Sequence, residues 1–185
     1  SRRQRQMCIR DSIYTVPDGL MVKGVYYRTD WAEEAGLNLD PTKGWDYDDY
    51  FDAVAKLTNK DEKHYGASYR GARGALDPLL VYLQSFTDGN TYDQEGNIQI
   101  NSDECLEAFK KWTDVYLNGY APEDAINWGF TEMVDNFTGG LTGTLINDSE
   151  VLPTCAQNME EGTWGVMPMP VSYTHLRAHE TTLHL

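Results

Sequence analysis

The chain has 185 residues, 41% hydrophobic and 24% charged, enough for one sizeable core and short for two. Lys and Arg number 15 against 29 Asp and Glu, a formal net charge of -14, which argues against nucleic acid or an anionic membrane as partner because both require a basic surface. No apolar run approaches the roughly 18–20 residues of a membrane span, and the three cysteines, Cys8, Cys105 and Cys155, cannot pair completely and lack metal-ligand spacing.

Both ends differ from the middle. The opening SRRQRQMCIR is rich in Arg and has no acid, and the closing VSYTHLRAHETTLHL holds three of the four His. Both strings resemble translated sequencing-adapter read-through, so residues 1–12 and 172–185 are set outside the fold as tails, the first expected to be disordered. Within 13–171 the balance is 10 basic residues against 27 acidic ones. His175, His179 and His184 have a spacing that could place imidazoles on one helix face, but no Cys or acid cluster supports a metal site there. The basic start lacks the apolar stretch that a signal peptide needs.

In chain order, Ile13–Val16 and Leu20–Tyr27 read as β segments split by Pro17-Asp18-Gly19. Thr29 or Asp30 caps a short helix that Gly36 closes. Tyr47, Tyr50, Phe51, Val54 and Leu57 align on one face of a helix over about 46–57. A strand over 64–68 leads into the glycine-bearing loop Tyr69 to Gly74, and Asp77-Pro78 opens a helix to about Phe86. Residues 91–100 suggest a small hairpin. Asn101 or Ser102 caps a helix to about Asn118 with Cys105, Phe109, Trp112 and Tyr116 as its buried stripe. A helix over 130–137 ends at Gly139-Gly140, 142–146 is a buried strand, Asn147-Asp148-Ser149 caps another helix, and 164–167 is a strand. Alternating strands and helices give an α/β class.

Few constellations carry chemistry. Asp46, Asp48, Asp49 and Asp52 crowd a helix start, where the macrodipole favours carboxylates, and the central Gly and final Glu of an EF loop are absent. Asn136-Phe-Thr138 and Asn147-Asp-Ser149 match the glycosylation pattern without further support. There is no G-x-S-x-G, H-E-x-x-H or P-loop. His64 reads as a strand-edge residue, and Cys105 falls on an apolar stripe. Asp77, Asp148 and Glu150 are the best placed acids, each in a loop or helix start after a strand, and a carboxylate pair of the glycosidase kind would come from them.

Several segments, in order, carry a family resemblance: Ile13-Tyr-Thr-Val-Pro17; Gly24-Val-Tyr-Tyr-Arg-Thr-Asp-Trp-Ala-Glu-Glu-Ala-Gly36; Gly44-Trp-Asp-Tyr-Asp-Asp-Tyr50 through Thr58; Tyr92-Asp-Gln-Glu-Gly-Asn-Ile98; Asn136-Phe-Thr-Gly-Gly-Leu-Thr-Gly-Thr-Leu-Ile-Asn147; and Trp164-Gly-Val-Met-Pro-Met-Pro170. Together they resemble the extracellular solute-binding proteins of ABC importers, in the carbohydrate-type group that includes maltose-binding protein. The resemblance implies one lobe of a two-lobe, periplasmic-binding-protein-like type II fold, with a mixed sheet flanked by helices. It makes 13–27 hinge or crossover strands, with Pro17, Asp18 and Lys23 at the hinge, 28–162 the second lobe, and 163–171 the return strand. It also implies a fragment, lacking the signal peptide, most of the first lobe and the C-terminal end.

The implied function is solute capture by lobe closure, outside the cytoplasm and periplasmic or membrane-tethered as a lipoprotein, with a sugar as solute and the importer's permease subunits as partners. No enzyme activity, cofactor, metal or nucleic acid is expected. Loops at the C-terminal ends of strands bind ligands in open α/β sheets, which selects Tyr69, Arg70, Arg73, Asp77, Asn147, Asp148 and Glu150. The family often places a Trp just after the strand ending at Asn147; Asp148-Ser149-Glu150 stands here, and the two arginines keep a charged or peptidic solute open. Trp45 and Trp164 read as core. A glycan-cleaving enzyme and a purely structural or adhesive lobe remain as alternatives.

Overall fold

A computed structural model of the chain describes residues 8–9, 12–13 and 19–171. Strands β1 (Cys8–Ile9) and β2 (Ser12–Ile13) pair antiparallel. The remaining described strands are β3 (Lys23–Arg28), β4 (Tyr65–Ala67), β5 (Thr142–Asp148) and β6 (Trp164–Pro168). They form a mixed sheet in the order β4-β5-β3-β6, with β3 antiparallel to both neighbours and β4 parallel to β5. The C-terminal ends of β4, β5 and β6 therefore share one edge with the N-terminal end of β3.

Side chains alternate across β3 and β5, so each strand feeds two cores. Val25, Tyr27 and Ile146 join one core with α1 (Thr29–Glu34), α2 (Tyr47–Lys56), α3 (Leu76–Gln84) and α4 (Asp103–Leu117). Tyr26 and Leu145 join the other with α5 (Phe130–Thr138) and α6 (Leu152–Asn158). The first core is aromatic: Tyr47 and Tyr82 lie 4.1 Å apart between ring centroids, and Tyr82 also meets Phe51 and Trp112. Trp45 is buried there, Trp164 packs half-buried against the second core, and His64 stacks on Trp31 at the sheet edge.

Local chemistry sets the ends. Asp46 accepts from the Asp49 N–H while Asp49 accepts from the Asp46 N–H, a capping box that starts α2. Gly36, at φ +67°, ends α1 with the paired Gly36-to-Glu33 and Leu37-to-Ala32 bonds of a Schellman turn. Ser102 caps α4 through the Cys105 N–H.

Several expectations shift. β3 begins at Lys23, because Leu20, Met21 and Val22 are exposed, Leu20 at 88%. The hairpin over 91–100 reduces to one bridge between Tyr92 and Ile98, held by the Asp93 carboxylate accepting from the Asn97 main-chain and side-chain N–H groups. On α4, Cys105, Ala108 and Val115 are buried, while Phe109 faces solvent, because the helix packs on α3 and α2 through its small residues. The stretch after Pro122 contains an unexpected 3-10 turn, Glu123–Asn127. Pro17 and Asp18 lie outside the described residues.

Candidate functional site

Two segments follow the parallel strands β4 and β5, and one cation links their surroundings. Lys23 opens β3 directly opposite Asp148 in the antiparallel register with β5. Its Nζ donates to Asp77 Oδ2 at 2.6 Å and lies 3.1 Å from Asp148 Oδ1. Asp77 stands in the first turn of α3, so strand start, strand end and helix start converge on one ammonium. Burial alone would pull this lysine down, but its interactions with the accepting carboxylates of Asp77 and Asp148 outweigh that and raise it above its ordinary value. The side chains of Lys23, Asp77 and Asp148 are 17%, 56% and 28% exposed.

Asp148 does not cap the turn that follows it; its carboxylate goes to Lys23, and its main-chain oxygen accepts from Tyr26 Oη at 2.9 Å. Burial foremost, with the nearby charges of Cys155, Asp148 and Glu150, pushes the Tyr26 hydroxyl up to about 12. Asn147 is 3% exposed; its Oδ1 accepts from the Asp148 N–H, while its Nδ2 has no partner. Glu150 is exposed, and Ser149 Oγ accepts from the Val22 N–H at 3.4 Å.

The loop after β4 is arranged differently. Tyr69 is half-buried, its ring 5.8 Å from that of Tyr116 and 6.3 Å from that of Trp112. Arg70 donates through Nε to the Arg73 carbonyl at 2.8 Å, and its guanidinium lies over Gly74, whose φ of +90° suits glycine. Arg73 is exposed. The loop is pinned to the 3-10 turn region by the Gly71 N–H to Ala125 and the Ala72 N–H to Trp128. The structure thus gathers Lys23, Asp77 and Asp148, sets Asn147 beside them, packs Tyr69 against α4, folds Arg70 into its own loop, and leaves Arg73 and Glu150 exposed. The family resemblance places Lys23 at the hinge; its role between two carboxylates depends on strand register, which no local signal announces.

Among the described residues no group of three or more His, Cys, Asp or Glu could hold a metal ion, and no helix is long and apolar enough to cross a membrane. A groove of about 420 Å³ lies elsewhere, lined by Asp46, Asp48, Asp103 and Glu104. Those acids stand at or next to the starts of α2 and α4, where the helix dipole accounts for them.

The family model of the bacterial extracellular solute-binding proteins matches residues 6–182. The chain belongs to this family. This solute-binding protein is 28% identical over 148 residues to the mannitol-binding protein of Pseudomonas aeruginosa, a match covering 70% of this chain and 33% of that one. In structure it is similar to an ABC-transporter solute-binding protein from Agrobacterium vitis S4 with bound D-mannitol, at TM-score 0.75 and 23% identity over 90% of this chain and 40% of that one. It is also similar to maltose-bound MalE3 of T. maritima, at TM-score 0.75 and 25% identity over 91% and 43%. The fold is that of a lobe of a periplasmic-binding-protein-like receptor, and the chain spans a third to two-fifths of the length of these relatives.

Proposed function

We propose that this chain is one lobe of a receptor that captures a polyhydroxylated solute, a sugar or sugar alcohol, and delivers it to the permease subunits of an ABC importer. The observation that carries this reading is the Lys23-linked pair of carboxylates at the edge where the parallel strands end, a set of acceptors and one donor suited to hydroxyl groups. The names of the relatives, bound to or named for mannitol and maltose, support the solute class. Closure of a second lobe over this edge would shift an open–closed equilibrium toward the closed form. The location that goes with this function is extracytoplasmic, periplasmic or tethered at the cell surface, with 13–27 and 163–171 serving as crossover segments.

Capture is favoured over cleavage by the position of Lys23. Its ammonium sits between Asp77 and Asp148, where a glycosidic bond would have to lie for the two acids to act on it. The test is calorimetric titration of the complete receptor with mannitol, ribitol and maltose. Saturable binding of at least one is expected, and Asp77→Ala and Asp148→Ala should each weaken it by about 1–3 kcal/mol, the scale of a lost polar partner in a closed cleft. No binding, or turnover of a glycan that Asp148→Asn abolishes, would overturn the proposal.

A further inference from the structure

We infer that Lys23 is the specificity-determining residue of this edge, fixing Asp77 and Asp148 as a centre that accepts a neutral polyol and rejects an anionic sugar. The inference rests on the capture of a polyhydroxylated solute proposed above. Asp77 gives Oδ2 and Asp148 gives Oδ1 to the ammonium; the second oxygen of each carboxylate has no protein partner among the described residues. An ammonium has three N–H donors; one is given to Asp77 Oδ2 and Asp148 Oδ1 is held as an ion pair at 3.1 Å, so at least one N–H is left for a solute. The centre therefore offers two acceptors and one donor side by side.

A hydroxyl is both donor and acceptor, so neighbouring hydroxyls on one carbon chain can give protons to the carboxylates while one receives the lysine's remaining N–H. A carboxylate or phosphate on the solute can only accept. It would satisfy the remaining N–H and face two negative charges. The opposing cations are placed less favourably: Arg70 is folded onto the Arg73 carbonyl, and Arg73 is exposed in its loop. Like charges a few ångströms apart repel strongly where water is excluded, so closure of a cleft sharpens the discrimination.

The placement does not depend on a free rotamer search. Lys23 is opposite Asp148 by strand register, and its side chain is largely covered. Arginine at this position can bridge the same two carboxylates, whereas methionine fills a similar volume without a charge.

Calorimetry on the complete receptor, with mannitol and ribitol as neutral probes and mannonate and ribonate as their acids, tests this. The parent should bind at least one polyol and bind the matching acid at least about tenfold more weakly. Lys23→Met should weaken polyol binding by about tenfold or more, and Lys23→Arg should recover most of it. Asp77→Asn with Asp148→Asn should narrow the gap between polyol and acid, and circular dichroism establishes that each variant is folded. If Lys23→Met fails to fold, the Lys23→Arg and Asp→Asn arms still decide. A parent that prefers the acid, or a folded Lys23→Met with unchanged affinity and selectivity, overturns the inference while leaving solute capture intact. Failure of the parent to bind any polyol or sugar overturns the capture reading, and this inference with it.

Discussion

The segment after β4 and the segment after β5 leave the sheet at the same edge and handle their polar groups in opposite ways. After β4, Tyr69 packs on Trp112 and Tyr116, Arg70 bonds within its own loop, and two main-chain bonds fasten the loop to the turn at 123–127. After β5, Asp148 reaches Lys23 on the neighbouring strand, and Asn147 keeps an unpartnered buried N–H group. The first segment is held by itself and its support; the second is held by the sheet. A polar group closed onto its own loop positions that loop, while one shared across strands keeps acceptors available to a solute.

The strongest way to break the contrast is at Gly71. A β-carbon there would run into the main chain of Ile126, which cannot swing aside as a side chain can. Gly71→Ala should destabilise the protein by about 2–3 kcal/mol, the scale of overpacking against a rigid neighbour. Urea denaturation measures it, and an unchanged midpoint would show that the loop is not fixed to its support.

Next comes the Tyr26 hydroxyl, which serves only the second segment. Its folded value of about 12 stands above the ordinary 10.0, so the unfolded chain releases this proton first. The stability it contributes is fully present below pH 10 and is lost as pH rises through about 12. The loss should be on the order of 2 kcal/mol, and Tyr26→Phe should make that part of the stability profile shallower by one group's share, Tyr50 and Cys155 being raised into the same range. A Phe variant with the same alkaline slope as the parent would remove Tyr26 as the cause.

A smaller effect is expected for the Lys23–Asp148 pair, which is partly exposed and therefore screened. A double-mutant cycle with Lys23→Met and Asp148→Asn should give a coupling energy of about 1 kcal/mol at neutral pH, diminished by salt. Zero coupling at low salt would mean that the register alone holds the segment.

The smallest change in stability belongs to Asn147→Leu. Removing the buried amide relieves its unpartnered Nδ2 but also takes the Oδ1 acceptor from the Asp148 N–H, and the two effects offset, leaving unfolding free energy within about 1 kcal/mol of the parent. In the complete receptor the same variant should weaken solute binding. A large loss of stability with intact binding would instead make Asn147 a structural residue.

Local structure was legible where a rule acts within a few residues. The 3.6-residue spacing of Tyr47, Tyr50 and Val54 marked a helix face, Ser102 marked the start of α4, and Gly36 marked the stop at the end of α1, whereas the capping box of Asp46 and Asp49 is seen only in the structure. The stripe on α4 was misjudged at Phe109 because periodicity gives a face without saying which neighbour meets it, and the approach of α3 selects Cys105 and Ala108. The 3-10 turn at 123–127 escaped because a stretch this short carries no readable period.

By itself the sequence determined the α/β alternation, the acidic surface, the Ser102 cap and the family to which the chain belongs, while the caps expected at Thr29 or Asp30 and at Asp148 are not formed. Residue types also singled out the polar groups at the strand ends. Only the tertiary structure decided which of them work together. Lys23 and Asp148 stand opposite each other because β3 and β5 pair in one register, and a slip by one residue would turn Lys23 to the other face. That register is fixed by the two cores, where Val25 and Ile146 on one side and Tyr26 and Leu145 on the other must all be buried at once. Burial over the whole sheet, rather than any local signal, places the cation between its two carboxylates.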